Sequence, residues 1–164
     1  MFIRLKKIKG NHYAYHVENR RADGKVKQKV KAYLGKAFLP EKTSQIDFFA
    51  HTQSDLSTAS KKPYPQLIHQ LIAWELYRHS LEGFSIDTHT SSIACNGEPA
   101  VVKLNEGFLC SHSLSQLLAF KLIRDEEHAS GRLLAELFVK AGIAVPKELF
   151  VKMFEQFNAS KNQE

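Results

Sequence analysis

Two cysteines in 164 residues, Cys95 and Cys110, are too few for a disulfide framework and point to a reducing interior. Five prolines and eight glycines exclude a collagen-like or proline-rich low-complexity chain. No apolar run approaches the roughly 20 residues that cross a bilayer, so no membrane partner is expected. The first nine residues are charged and no apolar stretch follows them. No secretory signal is therefore expected, and the cytoplasm is the default compartment. There is no CxxC pair, no H-E-x-x-H helix motif, no phosphate-cradling glycine loop and no internal repeat.

What is present is a foldable composition, 43% hydrophobic and 24% charged, with an uneven distribution of charge. Residues 1–42 hold nine Lys and three Arg against Glu18, Asp23 and Glu41, a net +9, while the remainder carries −3. The whole cationic excess of +6 therefore comes from the first quarter of the chain. A concentrated basic segment beside a mildly acidic body points to an anion-binding module joined to something else.

The basic segment has period two, the mark of strands. Strands are expected over 2–9, 12–19 and 25–34, with turns at Gly10-Asn11 and Asp23-Gly24 and a stop at Gly35. In the third, Lys25, Lys27, Lys29 and Lys31 alternate with Val26 and Val30, and Ala32 and Leu34 continue the apolar series. In the second, Tyr13, Tyr15 and Val17 oppose His12, His16 and Glu18. In the first, Ile3 and Leu5 oppose Arg4 and Lys6, and Lys7-Ile8 breaks the alternation as a bulge would. Such a sheet is marginal alone. Its apolar face (Ile3, Leu5, Tyr13, Tyr15, Val17, Val30) is expected to pack on the rest of the chain.

The expected class is α+β: an N-terminal three-stranded antiparallel β-meander followed by a mainly helical domain with a small β-hairpin. The parts are a basic module over 1–39, a linker over 40–63 in which Ile46, Phe48 and Phe49 can dock, a helical domain over 64–157 and a flexible tail over 158–164. Helices are expected over 65–79, where Leu67, Ile68, Leu71, Ile72, Trp74 and Leu76 recur at helical spacing, and over 114–123, capped by Ser113. Two more follow, over 125–141, ended by Gly142, and over 146–157 with Leu149, Phe150, Met153, Phe154 and Phe157. Asp125, Glu126 and Glu127 suit a first helical turn. Between them come two short strands. Phe84 to Asp87 is one candidate, to which Ser92 to Cys95 can belong. Ala100 to Leu104 is the clearer one, and Asn96-Gly97 supplies a turn.

Alternate lysines place ammonium groups roughly every 7 Å along a strand, near the spacing of successive phosphates. Solvation or protection of a sheet edge explains one lysine. Four in alternation, within a segment of net +9, favour a polyanion. Arg4, Lys6, His12 and His16 are expected to extend this patch, with Arg20 and Arg21 on the turn reaching further in. Tyr13 and Tyr15 are assigned to packing. Tyr33, on the lysine side by alternation, is the better candidate for base stacking.

Residues 1–36 carry Met1-Phe2-Ile3-Arg4, then Lys7-Ile8-Lys9-Gly10-Asn11-His12-Tyr13, then Val17-Glu18-Asn19-Arg20-Arg21. After Gly24 comes Lys25-Val26-Lys27-Gln28-Lys29-Val30, closed by Tyr33-Leu34-Gly35-Lys36. This segment resembles the N-terminal basic β-meander of insertion-sequence DDE transposases and related archaeal and bacterial proteins. The resemblance implies a nucleic-acid contact and tilts the expectation toward DNA. It does not imply transposition, because the chain is too short for the RNase H-like catalytic domain that follows in those proteins.

Elsewhere the chemistry is sparse. Cys95, Cys110, His112 and His89 share a region but lack zinc-site spacing, so no metal or cofactor is expected. Ser111, His112 and Ser113 are adjacent, and a helix cap explains the serines. Residues 105–110 suit an ordinary strand-to-helix connection in which Gly107 takes positive φ and Phe108 and Leu109 face the core. The expected function is a non-catalytic nucleic-acid-binding accessory factor, DNA favoured over RNA, with the helical part as scaffold and docking surface for a protein partner or a second copy. The alternatives are an adaptor subunit of a larger assembly and a small enzyme using residues 84–112.

Overall fold

A computed structural model describes residues 1–22, 24–123 and 126–161. Three strands open the chain: β1 (Phe2–Ile8), β2 (Asn11–Ala22) and β3 (Lys25–Phe38). Two short helices follow, α1 (Phe48–Thr52) and α2 (Leu56–Ser60), then the longer α3 (Tyr64–Arg78). Four strands come next: β4 (Phe84–Asp87), β5 (Ser92–Cys95), β6 (Glu98–Leu104) and β7 (Gly107–Leu109). Helices α4 (Ser111–Leu118), α5 (Glu127–Ala141) and α6 (Lys147–Lys161) complete the described chain.

The strands make one seven-stranded mixed sheet in the order β1-β2-β3-β6-β5-β4, with β7 also paired to β6. This overturns the expectation of a mainly helical domain after the meander. Four strands lie within that part, and β3 runs parallel to β6 through Lys36↔Ala100, Ala37↔Val101 and Phe38↔Val102. The local pattern of β6 explains its central place. Ala100, Val101 and Val102 are consecutive and buried, as in a parallel strand covered on both faces. Val101 joins a small cluster with Ala14, Leu34, Ala37 and Cys110. Val102 and Leu104 join the large core made with α3, α4, α5 and α6.

The helices form where the apolar spacing places them. In α3, Pro65 stands in the first turn, where no intrahelical N–H is needed, and Leu67, Ile68, Leu71 and Ile72 turn inward. Helix α5 ends on Gly142 at φ 72°, a left-handed cap. Leu149 and Met153 of α6 are buried, with Phe150, Phe154 and Phe157 packed against the same core. Helix α6 runs on to Lys161, beyond the expected end at 157. Helix α4 starts earlier than expected, at Ser111, so Ser113 sits one turn inside it rather than at the cap. Its hydroxyl accepts from the Cys110 backbone N–H at 3.0 Å and donates to the Phe108 carbonyl at 2.7 Å. Asp125, expected in the first turn of α5, lies outside the described residues, as does Asp23 of the expected Asp23-Gly24 turn.

In the segment expected as a linker, Asp47 caps α1 by accepting from the N–H groups of Phe49 and Ala50. Phe48 is fully buried and meets Trp74 edge-on at 5.6 Å. Trp74 in turn donates its indole N–H to the Ile46 carbonyl at 3.0 Å.

Gly107 lies in β7 without positive φ, contrary to expectation. Its hydrogen serves close approach instead: a Cβ there would collide with the Val139 carbonyl of α5. Glu75, on the inward face of α3, is a fully buried carboxylate. It accepts the Ala144 N–H at 2.8 Å and lies 3.4 Å from Asn105 Nδ2 and 3.5 Å from Arg78 Nη1. One side chain thus ties α3 to the β6–β7 turn and the α5–α6 connection. No helix among the described residues is long and apolar enough to cross a membrane.

Candidate nucleic-acid interface

The first hairpin turns on Lys9 and Gly10, both at positive φ, not on Gly10-Asn11. A two-residue turn pairs odd positions with even ones, and directly paired residues share a face. Ile3 therefore faces the same side as His16, and Leu5 the same side as Ala14, while Arg4 pairs with Tyr15 and Lys6 with Tyr13. This register overturns the expectation that Ile3 and Leu5 share a face with Tyr13 and Tyr15. It also separates Arg4 and Lys6 from the lysine patch they were expected to extend. The β1–β2 ladder has no bulge at Lys7-Ile8. Two irregularities fall instead between β2 and β3, opposite Ala14/Tyr15 and His16/Val17, where Leu34 and Lys31 are extra residues of β3.

Those two extra residues reset the alternation of β3. Lys25, Lys27 and Lys29 pair with Ala22, Arg20 and Glu18, on the side of the sheet that also bears Ala14 and His16. Beyond the irregularity, Tyr33 pairs with Tyr15 and lies on the other side, so it is not on the lysine face. Val26 and Val30 pair with Arg21 and Val17, and neither is packed: they are 61% and 46% exposed.

β1 covers β2 only as far as Val17, and β6 meets β3 only at Lys36 to Phe38. Residues 18–22 and 25–29 therefore form a two-stranded ribbon with no third strand beside it. It is roughly 15 Å long at the usual rise. Lys25, Lys27 and Lys29 are exposed on it, and Lys31 is exposed at its base. Glu18 holds Lys31 at 3.1 Å and Arg20 at 3.2 Å. Hydrogen bonds from Lys31 first, and then Arg20, keep its carboxyl below the usual range. Lys25, Lys27 and Lys29 have no ion pair with any described carboxylate. Arg20 and Arg21 lie within β2, not in the turn, with side chains on opposite faces.

His12 and His16 share the lysine side but sit at the base of the ribbon. His12 pairs with Lys7 and Ala37. His16 is buried, with its ring 4.3 Å from that of His112. Burial, then His112 and the N-terminal amino group, hold its pKa below the ordinary 6.5. The two rings border a cleft of about 580 Å³ that also touches Met1, Gln116 and Lys140.

The opposite face carries an aromatic group that joins Tyr33, expected on the lysine side, to Tyr13 and Tyr15, which alternation had assigned to packing. Tyr33 meets Tyr15 at 5.4 Å and Tyr13 at 6.5 Å between ring centroids. Lys6 Nζ stands 4.9 Å over the Tyr15 ring. Arg4 is hydrogen-bonded to Gln28, and Lys36 is paired with Tyr13. Lys36 and Gln28 are additions to the expected set; the odd–even pairing of a two-residue turn was the signal for the face.

In the other candidate region, Asp87 accepts from the backbone N–H groups of His89 and Thr90, closing a tight turn. Both cysteines are free thiols, Cys110 buried. Among the described residues no three His, Cys, Asp or Glu side chains converge on a point that a metal could occupy. Comparisons with protein-family models, with curated proteins and with solved structures gave no match.

Proposed function

We propose that this protein is a non-catalytic nucleic-acid-binding factor whose β2–β3 ribbon lays Lys25, Lys27, Lys29 and Lys31 along a phosphate backbone. The observation that carries this reading is the ribbon itself. It stands clear of any third strand and presents Lys25, Lys27, Lys29 and Arg20, with Lys31 at its base, against one described carboxylate, Glu18. Flexible ammonium groups position a backbone without reading sequence. Arg20 and Arg21 would reach into a groove, a binding mode open to a two-stranded ribbon. The resemblance of residues 1–36 to the transposase segment favours DNA over RNA. The remainder of the chain orients the ribbon and offers a docking surface.

The test is the fourfold variant Lys25/Lys27/Lys29/Lys31→Glu, which alters only exposed side chains. Duplex binding is expected to vanish while the circular dichroism spectrum stays native. If all four lysines meet phosphates, wild-type affinity should fall roughly 100-fold between about 50 and 200 mM salt. Undiminished binding by the variant overturns the proposal. Equal affinity of the wild type for polyglutamate and for DNA replaces it with an adaptor that recognises acidic protein.

A further inference from the structure

We infer that the face of the sheet opposite the lysines is a platform for a single strand: Tyr13, Tyr15 and Tyr33 stack unpaired bases, while Arg4, Lys6 and Lys36 hold the adjoining phosphates. This inference rests on the nucleic-acid reading above and adds to it the class of ligand. The three rings are contiguous, joined through Tyr33, and none belongs to either hydrophobic core. Tyr33 is 55% exposed. Rings committed to the fold would be covered by it, because an aromatic side chain contributes chiefly by burying its large surface. Strand pairing holds the three side by side, with Tyr33 open and Tyr13 and Tyr15 half-buried beside it.

The surrounding charge suits an anion with flat uncharged groups. Lys6 lies over the Tyr15 ring, Arg4 pairs with the same Tyr15, and Lys36 pairs with Tyr13. Arg4 is further steadied by its bond to Gln28. Glu98 is the acidic group near enough to act on Tyr33, at one end of the platform. Alternating cations and open π-faces match a strand in which phosphates alternate with exposed bases. Inside a duplex both faces of each base are covered by its neighbours, so tyrosines cannot reach them. The ligand is thus a single-stranded segment. The ribbon and the platform share β2 and β3 but face opposite ways, so one protein can hold paired and unpaired nucleic acid together.

The experiment measures fluorescence anisotropy of an oligo-dT of about 15 nucleotides, enough to cover one sheet face, and of a duplex of equal length. The proteins are the wild type, Tyr15→Leu/Tyr33→Leu, Tyr33→Phe and the fourfold lysine variant. Two lost stacking contacts should weaken oligo-dT binding roughly 30-fold or more, with duplex affinity changed by less than about threefold and Tyr33→Phe near the wild type. Should the leucine variant fail to fold, an abasic strand of the same length offered to the wild type gives the same answer. It should bind weaker than oligo-dT by a similar factor. Equal binding of oligo-dT by the leucine variant, or of abasic strand by the wild type, overturns the platform. If the lysine variant at the same time loses the duplex, the function proposed above survives that failure; if it retains the duplex, that function fails by itself. A sedimentation shift from dimer to monomer in the leucine variant, without loss of oligo-dT binding, makes a second copy the occupant and overturns the inference.

Discussion

Replacing Gly35 by alanine probes the point where the ribbon joins the body. Gly35 pairs with Ala14 on one side, and the next residue, Lys36, begins the parallel pairing with β6. Its φ is +129°, a backbone conformation that L side chains rarely adopt. An added Cβ would also strike the Pro99 carbonyl and come within 2.9 Å of the Ala100 nitrogen. These are backbone atoms, so no side-chain rotation relieves the collision. Backbone strain at such a position costs about 1–3 kcal/mol. Forcing a methyl into filled space costs about 1–3 kcal/mol more. Taken together the loss is about 2–6 kcal/mol, a large part of the roughly 5–15 kcal/mol that stabilises a domain. At roughly 2–4 °C per kcal/mol for a chain of this size, Tm should fall by about 10 °C. Gly10→Ala is the control. Its φ is +84° and nothing lies within 4 Å of the added Cβ. That variant therefore bears only the left-handed penalty of about 1–2 kcal/mol. Urea unfolding of both measures the difference. If Gly35→Ala is no more destabilising than Gly10→Ala, within about 0.5 kcal/mol, the close approach of β3 to Pro99 is wrong.

Four further outcomes are expected. Phe48→Ala should cost about 3–5 kcal/mol in urea unfolding, because the ring is fully buried against Trp74; a loss below about 1 kcal/mol would mean α1 is not docked. Glu75→Ala should cost about 3 kcal/mol, since it strands the Ala144 N–H and leaves Arg78 and Asn105 without their carboxylate; a neutral result would contradict the buried network. The folded-state pKa of His16 lies below 6.5, so the unfolded chain takes up this proton first as pH falls. The stability it supplies is complete above pH 6.5 and is lost as pH drops through the folded value. Thermal melts between about pH 7 and 5 should therefore decline more steeply for the wild type than for His16→Gln, and parallel curves would refute this. Glu18→Gln releases Lys31 and Arg20 and should tighten duplex binding a few-fold at about 50 mM salt, fading at high salt; unchanged affinity would show that the ribbon's charge is not at the interface.

Much of the candidate site was legible before folding, and its failures are instructive. The alternation of Lys25, Lys27, Lys29 and Lys31 with Val26 and Val30 correctly marked a strand whose two sides differ. The extension of that parity to Tyr33 failed because Lys31, which lies between Lys29 and Tyr33, is an extra residue in the ladder, and one extra residue exchanges the faces. Assigning Tyr13 and Tyr15 to the same face as Ile3 and Leu5 failed for a simpler reason. The turn at Lys9 and Gly10 pairs Arg4 with Tyr15, and any two-residue turn would have paired odd positions with even ones. Val30 was expected to be buried, but burial needs something opposite it, and it lies short of the β3 residues that meet β6 and stays 46% exposed.

By itself the sequence determined the local elements: the two-residue turn at Asn96-Gly97, a first hairpin turn placed one residue away from its position at Lys9-Gly10, the inward stripes of α3 and α6, the cationic strand and the overall charge imbalance. Each of these depends on neighbours a few residues apart, so composition and period are enough to specify them. Only the tertiary structure decided that β3 lies parallel to β6 and that four strands of the later chain share the sheet with the meander. Those outcomes depend on contacts between segments more than sixty residues apart, such as the backbone of Gly35 against that of Pro99. Local propensity is blind to such contacts, because their free energy appears only when the two distant surfaces close on each other.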